Sequence, residues 1–222
     1  MKLQVNRVAY PVTVLGPGRR AGLWVQGCRI GCPGCGSTDT WDPAGGTPVD
    51  TATLAAGLAD LVEAEDLTGL TITGGEPTEQ SDALADLVVR LRAAVPDRQL
   101  DVLVFTGRSA AAARRSAALW AVTDVAVCGP YRPDRPSTDP LVVTTNQRLV
   151  ALTPLGRERF AGPPLEAPQS RAVDPAPRRV QASVADGDIT LVGLPRPGDL
   201  LRLEEALRRR GITLGGRSWQ TS

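Results

Sequence analysis

The spacing of apolar positions changes several times along this chain, and each change marks an element. Between Gln4 and Gln26 two extended apolar stretches, VAYPVTVLG and GLWVQ, flank the turn-rich GPGRR, which predicts a hairpin or paired strands. In TPVDTATLAAGLADLVEAE, residues Leu54, Leu58, Leu61 and Val62 recur on one helical face. Thr47 is expected to cap that helix, with Pro48 at its first position and Asp50 near its positive start. LTIT, residues 70–73, is a short β-rich run ending in GGEP. Leu84, Leu87, Val88 and Leu91 predict a second helix, with Ser81 as its cap. LDVLVFTG (100–107) reads as a buried strand, SAAAARRSAALW as a helix, and AVTDVAVCGP (121–130) as a further strand.

Strands alternating with helices predict βα units on a parallel sheet, an α/β fold. Ligands of such sheets sit beyond the carboxyl ends of the strands. TGGEP, FTG, CGP and a cysteine-bearing loop all fall at strand ends, so they can share one pocket. Beyond Pro154 the pattern weakens: residues 155–179 hold five prolines and several arginines and read as a long surface loop. VQASVADGDITLVGLP then predicts a hairpin around Asp186–Gly187. PGDLLRLEEALRRRGI predicts a last helix, with Leu200, Leu203 and Leu207 on one face. A single domain over 1–222 is expected, with its core at about 10–150, the loop at 155–179 and a terminal hairpin and helix at 180–215.

Composition then removes chemistries. The chain has no histidine, and Lys2 is its only lysine. Histidine-based hydrolysis, histidine-ligated zinc, lysine Schiff bases and the phosphate loop's lysine are excluded. Cysteine, carboxylates, tyrosine and arginine remain, or an imported cofactor. A net charge of +1 gives no bulk attraction to nucleic acid or to anionic membrane. With no long apolar run and no signal-peptide pattern at the start, a cytoplasmic location is expected.

Three of the four cysteines, Cys28, Cys32 and Cys35, lie within WVQGCRIGCPGCGSTDTW (24–41) at C-x3-C-x2-C spacing. Buried structural thiols, zinc and an iron–sulfur cluster are the candidate explanations. Clustering in a glycine- and proline-rich loop disfavours the first. Structural zinc needs four nitrogen or sulfur ligands, so Cys128 or a carboxylate would have to complete the set. An iron–sulfur cluster is held by cysteine thiolates, and three of them leave one iron of a four-iron cluster open. TITGGEP (71–77) is either a plain strand-to-helix turn or a close backbone approach to a ligand, with Glu76 as an added acceptor. That set suits an ammonium group.

Together these motifs resemble the radical S-adenosylmethionine superfamily, and within it the small activating enzymes of anaerobic ribonucleotide reductase and pyruvate formate-lyase. GPGRR, LWVQGC, CPGC, DTW, TGGEP, the TG at 106–107, GPY (129–131) and NQR (146–148) fall in that family's order. The resemblance implies a partial (β/α) barrel, a 4Fe-4S cluster on Cys28, Cys32 and Cys35, and S-adenosylmethionine on its open iron. It further implies that Thr73, Gly74, Gly75, Glu76 and Pro77 meet the methionyl end, and that Gly34, Cys35 and Gly36 lie against the adenine. The implied activity is reductive cleavage of S-adenosylmethionine to a 5′-deoxyadenosyl radical that activates a glycyl-radical enzyme. Modification of a small molecule or peptide in a biosynthetic pathway is the alternative. The implied electron donor is a flavodoxin or ferredoxin, with no nucleic-acid or membrane partner. Three features depart from the family pattern. Cys128 stands where reductase activases tend to have aspartate before GP, and the loop at 155–179 has no clear counterpart in the shortest activases. Gly34, Gly36 and Ser37 stand where members carry an aromatic beside the last cysteine, or an aromatic or histidine followed by asparagine. One wall of the adenine pocket is therefore expected from elsewhere in the chain.

Overall fold

In the computed structural model, which describes residues 1–160, 180–185, 188–195 and 198–214, the two opening apolar stretches form strands β1 (Lys2–Val12) and β2 (Arg20–Val25). They pair antiparallel. Strand β3 (Thr47–Asp50) adds to the outer side of β1. Helix α1 (Thr51–Ala64), strand β4 (Gly69–Gly74), helix α2 (Ser81–Ala94) and strand β5 (Asp101–Thr106) follow. After them come the short helices α3 (Ala110–Ala113) and α4 (Ala117–Val122), then strands β6 (Val125–Cys128) and β7 (Arg148–Ala151). The sheet order is β3-β1-β2-β4-β5-β6-β7, with β2, β4, β5 and β6 mutually parallel and β7 antiparallel to β6. Among the described residues nothing pairs β3 with β7, so the sheet is open.

Alternation along the central strands divides the core. Leu23, Val25, Leu70, Ile72, Val102 and Val104 face α1, α2 and α4, meeting Leu58, Val62, Leu84, Leu87, Val88 and Leu91. Each such side chain, fully withdrawn from water, stabilises the fold by about 1.5–3 kcal/mol before entropy is counted. The intervening residues face the other side: Trp24 packs with Val12, Leu15 and Val192, and Leu103 with Val125, Val127, Leu149 and Phe160. Burial on both faces explains why β2, buried at all six residues, reads as a continuous apolar run after Arg20.

Several expectations shift. Thr47–Asp50 is strand, because it pairs with β1 at Val5↔Thr47 and Gln4↔Pro48; Pro48 is tolerated since β3 is the sheet edge. Asp50 is the helix cap, its carboxylate accepting from Ala52 N–H at 2.9 Å. Ser81 opens α2 rather than capping it, and its hydroxyl accepts from the Leu119 N–H at 3.2 Å. The helix expected over 109–120 is split in two. The loop expected from 155 begins later, because Thr153 caps helix α5 (Pro154–Arg159), with proline at its first turn; residues 161–179 lie outside the described residues. Strands β8 (Val180–Ala185) and β9 (Asp188–Gly193) form the terminal hairpin as a separate two-stranded sheet, followed by α6 (Asp199–Arg208); the Asp186–Gly187 turn is also outside the described residues. Gln181 clips the hairpin onto β1, donating to the Pro11 carbonyl at 2.6 Å and accepting from Thr13 N–H at 3.1 Å. No helix among the described residues is long and apolar enough to cross a membrane.

At the amino-terminal edge of the parallel strands, Arg20 and Asp101 are fully buried and paired at 2.6 Å. Arg20 also donates to Thr71 Oγ1 at 2.7 Å, and Arg159 reaches the other Asp101 oxygen at 2.7 Å. α5 is thereby locked under the sheet.

Candidate cluster and cofactor site

The cysteine loop begins where β2 ends. Gly27 N–H donates to Thr40 O at 2.8 Å, Cys28 N–H to Trp41 O at 3.0 Å and Cys35 N–H to Cys32 O at 3.1 Å. The buried Gln26 amide adds a bond to Asp42 O at 2.7 Å, so both ends of the loop are tied. All three thiols are partly buried and free. Burial pushes the Cys32 thiol up, as do the charges of Cys35, Cys28 and Glu76, while the Tyr131 N–H donated to it pulls down. Cys35 is raised by burial first, with Cys28 and Asp39 adding; N–H donors from Ser37, at 3.4 Å, and the Trp41 side chain oppose this. The thiols are thus close enough to feel one another. Yet no three cysteine or carboxylate groups among the described residues close on a point the size of one ion. Structural zinc asks for four nitrogen or sulfur ligands, and this loop supplies three thiols; a multi-iron cluster takes one thiolate at each of three irons.

The GGEP segment leaves β4 directly beside the root of this loop. Gly75 N–H donates to Val25 O and Glu76 N–H to Gly27 O, both at 2.8 Å. Gly74 has φ +95°, and a β-carbon there would stand 2.8 Å from the Val25 backbone; on Gly75 it would stand 2.2 Å from the Gly27 carbonyl oxygen. The close approach these glycines permit is therefore, in the first place, that of β2 and the cysteine loop.

Glu76 is 1% exposed. Its Oε1 accepts from Thr78 N–H (3.1 Å), Thr78 Oγ1 (2.6 Å) and Thr106 Oγ1 (2.7 Å), and its Oε2 from Gly107 N–H (2.9 Å). All four donors are neutral, and no cationic side chain among the described residues pairs with this carboxylate. A buried carboxylate without a countercharge is costly. Oε2, with one donor, keeps acceptor capacity for an incoming cation.

Both segments open onto one cavity of about 660 Å³, within the usual range of about 300–1,000 Å³ for small-molecule sites. It brings together Cys28, Cys32, Gly34, Cys35 and Gly36 with Thr73, Gly74, Gly75 and Glu76. Pro77 does not line it; it is buried as the first residue of the 3-10 turn Pro77–Gln80. Cys128 is also outside it, buried with Ala113 and Ala126 at the end of β6. Burial, then the Glu76 charge, pushes its thiol up to about 11. Sequence reasoning did not single out Trp24, Trp41, Phe105 and Tyr131. The chain has four Trp, two Tyr and two Phe, and these four of the eight line this one cavity. The Tyr131 ring lies 3.6 Å from where a Gly34 β-carbon would be. GPY and DTW carried the signal, but no spacing rule joins them to the cysteines.

Residues 14–150 match the family model for a 4Fe-4S single cluster domain. The chain belongs to that family. It is 35% identical over 102 residues to the anaerobic ribonucleoside-triphosphate reductase-activating protein of Escherichia coli K12, covering 44% of this chain and 65% of that protein. With the protein of the same name from enterobacteria phage T4 it shares 31% identity over 138 residues, 61% of this chain and 86% of that one. The pyruvate formate-lyase-activating enzyme of Listeria monocytogenes is 33% identical over 93 residues, 41% and 38% of the two chains. The family is that of the radical S-adenosylmethionine proteins, and its cofactors are a 4Fe-4S cluster and S-adenosylmethionine. The donor set fits them: three spaced thiols, a buried uncompensated carboxylate and aromatic walls share one cavity.

Proposed function

We propose that residues 1–222 act as one radical S-adenosylmethionine enzyme that activates a glycyl-radical partner, as the names of its relatives describe for a reductase and a lyase. The observation that carries this reading is the junction of the cysteine loop with the Glu76 segment in a single cavity. Cys28, Cys32 and Cys35 would hold three irons and leave the fourth open. Thr73, Gly74 and Gly75 would present backbone to the methionyl end, and Glu76 Oε2 would accept from its ammonium. Gly34, Cys35 and Gly36 would flank the adenine, with Tyr131 supplying the wall that the loop itself lacks; base–aromatic stacking is worth about 1–3 kcal/mol. S-adenosylmethionine, when reduced at the cluster, supplies a 5′-deoxyadenosyl radical for hydrogen-atom abstraction. The sheet, open but ending at the site with its parallel strands, is read as a partial (β/α) barrel. A low-potential flavodoxin or ferredoxin is the proposed electron donor.

Anaerobic reconstitution with reductant and S-adenosylmethionine tests the reading. About four irons per chain and release of 5′-deoxyadenosine are expected, with release lost in Cys28→Ala, Cys32→Ala and Cys35→Ala. Stoichiometric zinc with little iron in freshly isolated protein would overturn it. A second reading, modification of a small molecule or peptide, is favoured by one observation: Val180, Ile189 to Pro195 and Leu201, beyond the family match, wall part of the cavity. A carbon-centred radical appearing by paramagnetic resonance on a co-incubated glycyl-radical enzyme separates the two.

A further inference from the structure

The outer wall of the cavity comes from the terminal hairpin, and the pattern of its residues is unusual. Ile189, Thr190, Leu191, Val192 and Gly193, five consecutive residues of β9, all border the cavity. A strand that offered one face would contribute every second residue, since side chains alternate. Consecutive residues border a cavity when a strand turns its edge to it. That edge is unpaired: β8 is the one strand hydrogen-bonded to β9 among the described residues. In an antiparallel pair every second residue points its N–H and C=O away from the partner strand.

The surroundings of this edge are apolar. Val180, Ile189 and Leu201, three of the molecule's few exposed large hydrophobic residues, stand on the cavity's lining. Of the charged groups on that lining, Arg7 pairs with Asp39 at 2.6 Å and stacks over Trp24, while Glu76, which meets neutral donors alone, belongs to the cysteine side of the cavity. The edge is held in place by the Gln181 clip and by Val192, which is 4% exposed against Val12, Leu15 and Trp24.

We propose that β9 is a docking strand: an extended, uncharged segment of the partner polypeptide adds to its free edge as a third strand, and this carries one residue of the segment to the thiol-lined end of the cavity. Main-chain hydrogen bonds give such strand addition its affinity, and alternate side chains entering pockets give its selectivity. An uncharged segment fits because Ile189–Gly193, the part of β9 that borders the cavity, carries no ionisable side chain. The proposal rests on the activase reading only in taking a polypeptide as the substrate.

Hydrogen–deuterium exchange of the full chain tests it, with the peptide acetyl-Thr-Val-Ala-Gly-Val-Thr-Ala-amide as probe. At saturating peptide, alternate amides of Ile189–Gly193 should exchange at least tenfold more slowly. The same peptide N-methylated at alternate residues should lose that protection. Leu191→Asp should weaken peptide binding tenfold or more while leaving the visible absorption of the reconstituted cluster unchanged. Unchanged exchange along β9, or equal binding of the N-methylated peptide, would overturn the proposal. So would β9 protection that depends on protein concentration without peptide, which means that a second copy covers the edge. Release of 5′-deoxyadenosine is followed in the same preparations. Its loss with β9 protection intact would count against the activase reading and leave the docking strand standing; the reverse result would do the opposite.

Discussion

Asp101 and Glu76 are buried carboxylates at opposite edges of the parallel strands, and the two are solved in opposite ways. At the amino-terminal edge Asp101 is met by two arginines, Arg20 at 2.6 Å and Arg159 at 2.7 Å. At the carboxyl-terminal edge Glu76 is met by two threonine hydroxyls and two backbone N–H groups, all neutral. The first arrangement surrounds its carboxylate with cations of the chain itself. The second bridges its strands through neutral donors and leaves its carboxylate without a cation, beside a cavity lined by three thiols. Geometry alone would call both structural. The missing countercharge is what underlies the proposal that Glu76 meets a cationic ligand.

The sharpest way to break this contrast is to unbalance the closed edge. Asp101→Ala leaves Arg20 buried without its partner, and breaking a buried pair this way costs on the order of 3–5 kcal/mol. Chemical denaturation should show that loss. A near-wild-type midpoint would mean that the pair contributes little and that the two edges differ less than their partners imply. At the open edge, Gly75→Ala places a β-carbon 2.2 Å from the Gly27 carbonyl, and overpacking of this kind costs roughly 1–3 kcal/mol. Because Gly27 precedes Cys28, cluster incorporation and S-adenosylmethionine affinity should fall together; normal iron content with reduced affinity would return the glycines to a purely ligand-facing role.

Glu76→Gln is milder for the fold, since an amide oxygen can still accept from Thr78 and Thr106. Its expected effect is on ligand binding: loss of a charge-assisted bond costs about 1.5–3 kcal/mol, roughly ten- to a hundredfold in affinity, measurable by anaerobic titration calorimetry. Unaltered affinity would show that the open charge is not used. The smallest effect belongs to Cys128, whose thiol is pushed up to about 11 from its ordinary 9.0. A raised folded pKa means the folded chain keeps the proton more tightly, so its contribution is full below about pH 9 and is lost as pH rises toward 11. Cys128→Ala should flatten that alkaline slope in stability and leave the cluster intact at neutral pH. A lost cluster would instead place Cys128 among the ligands.

What could be read from the chain alone follows from which interactions are local. The βα alternation, the four leucine and valine positions of α2 and the cysteine loop all sit in short windows, and they stand where periodicity puts them. β3 was missed because Thr47-Pro48 is a good local helix start, and only pairing with residues near the amino terminus makes it a strand. Ser81 has a capper's chemistry, but its hydroxyl is spent on Leu119, distant in sequence. At the candidate site, the cysteine spacing and the GGEP strand end were enough to bring the three thiols and Glu76 forward, and the structure places them on one cavity. The aromatic walls were not legible, because Tyr131 reaches Cys32 only through the excursion between β6 and β7. Nor was the reason for the glycines, which depends on a parallel pairing that no motif encodes.

That pairing has a consequence for anyone who would move this site. Val25 and Gly27 accept from Gly75 and Glu76 across one hydrogen-bonded seam, so the distance from the cysteines to the carboxylate is a property of two backbones rather than of side chains. The portable unit is therefore neither the cysteine loop nor the GGEP turn but both strands with their parallel register, from Gly22↔Thr71 to Val25↔Gly74. A graft of the loop alone onto another scaffold would carry the ligands and leave their ruler behind.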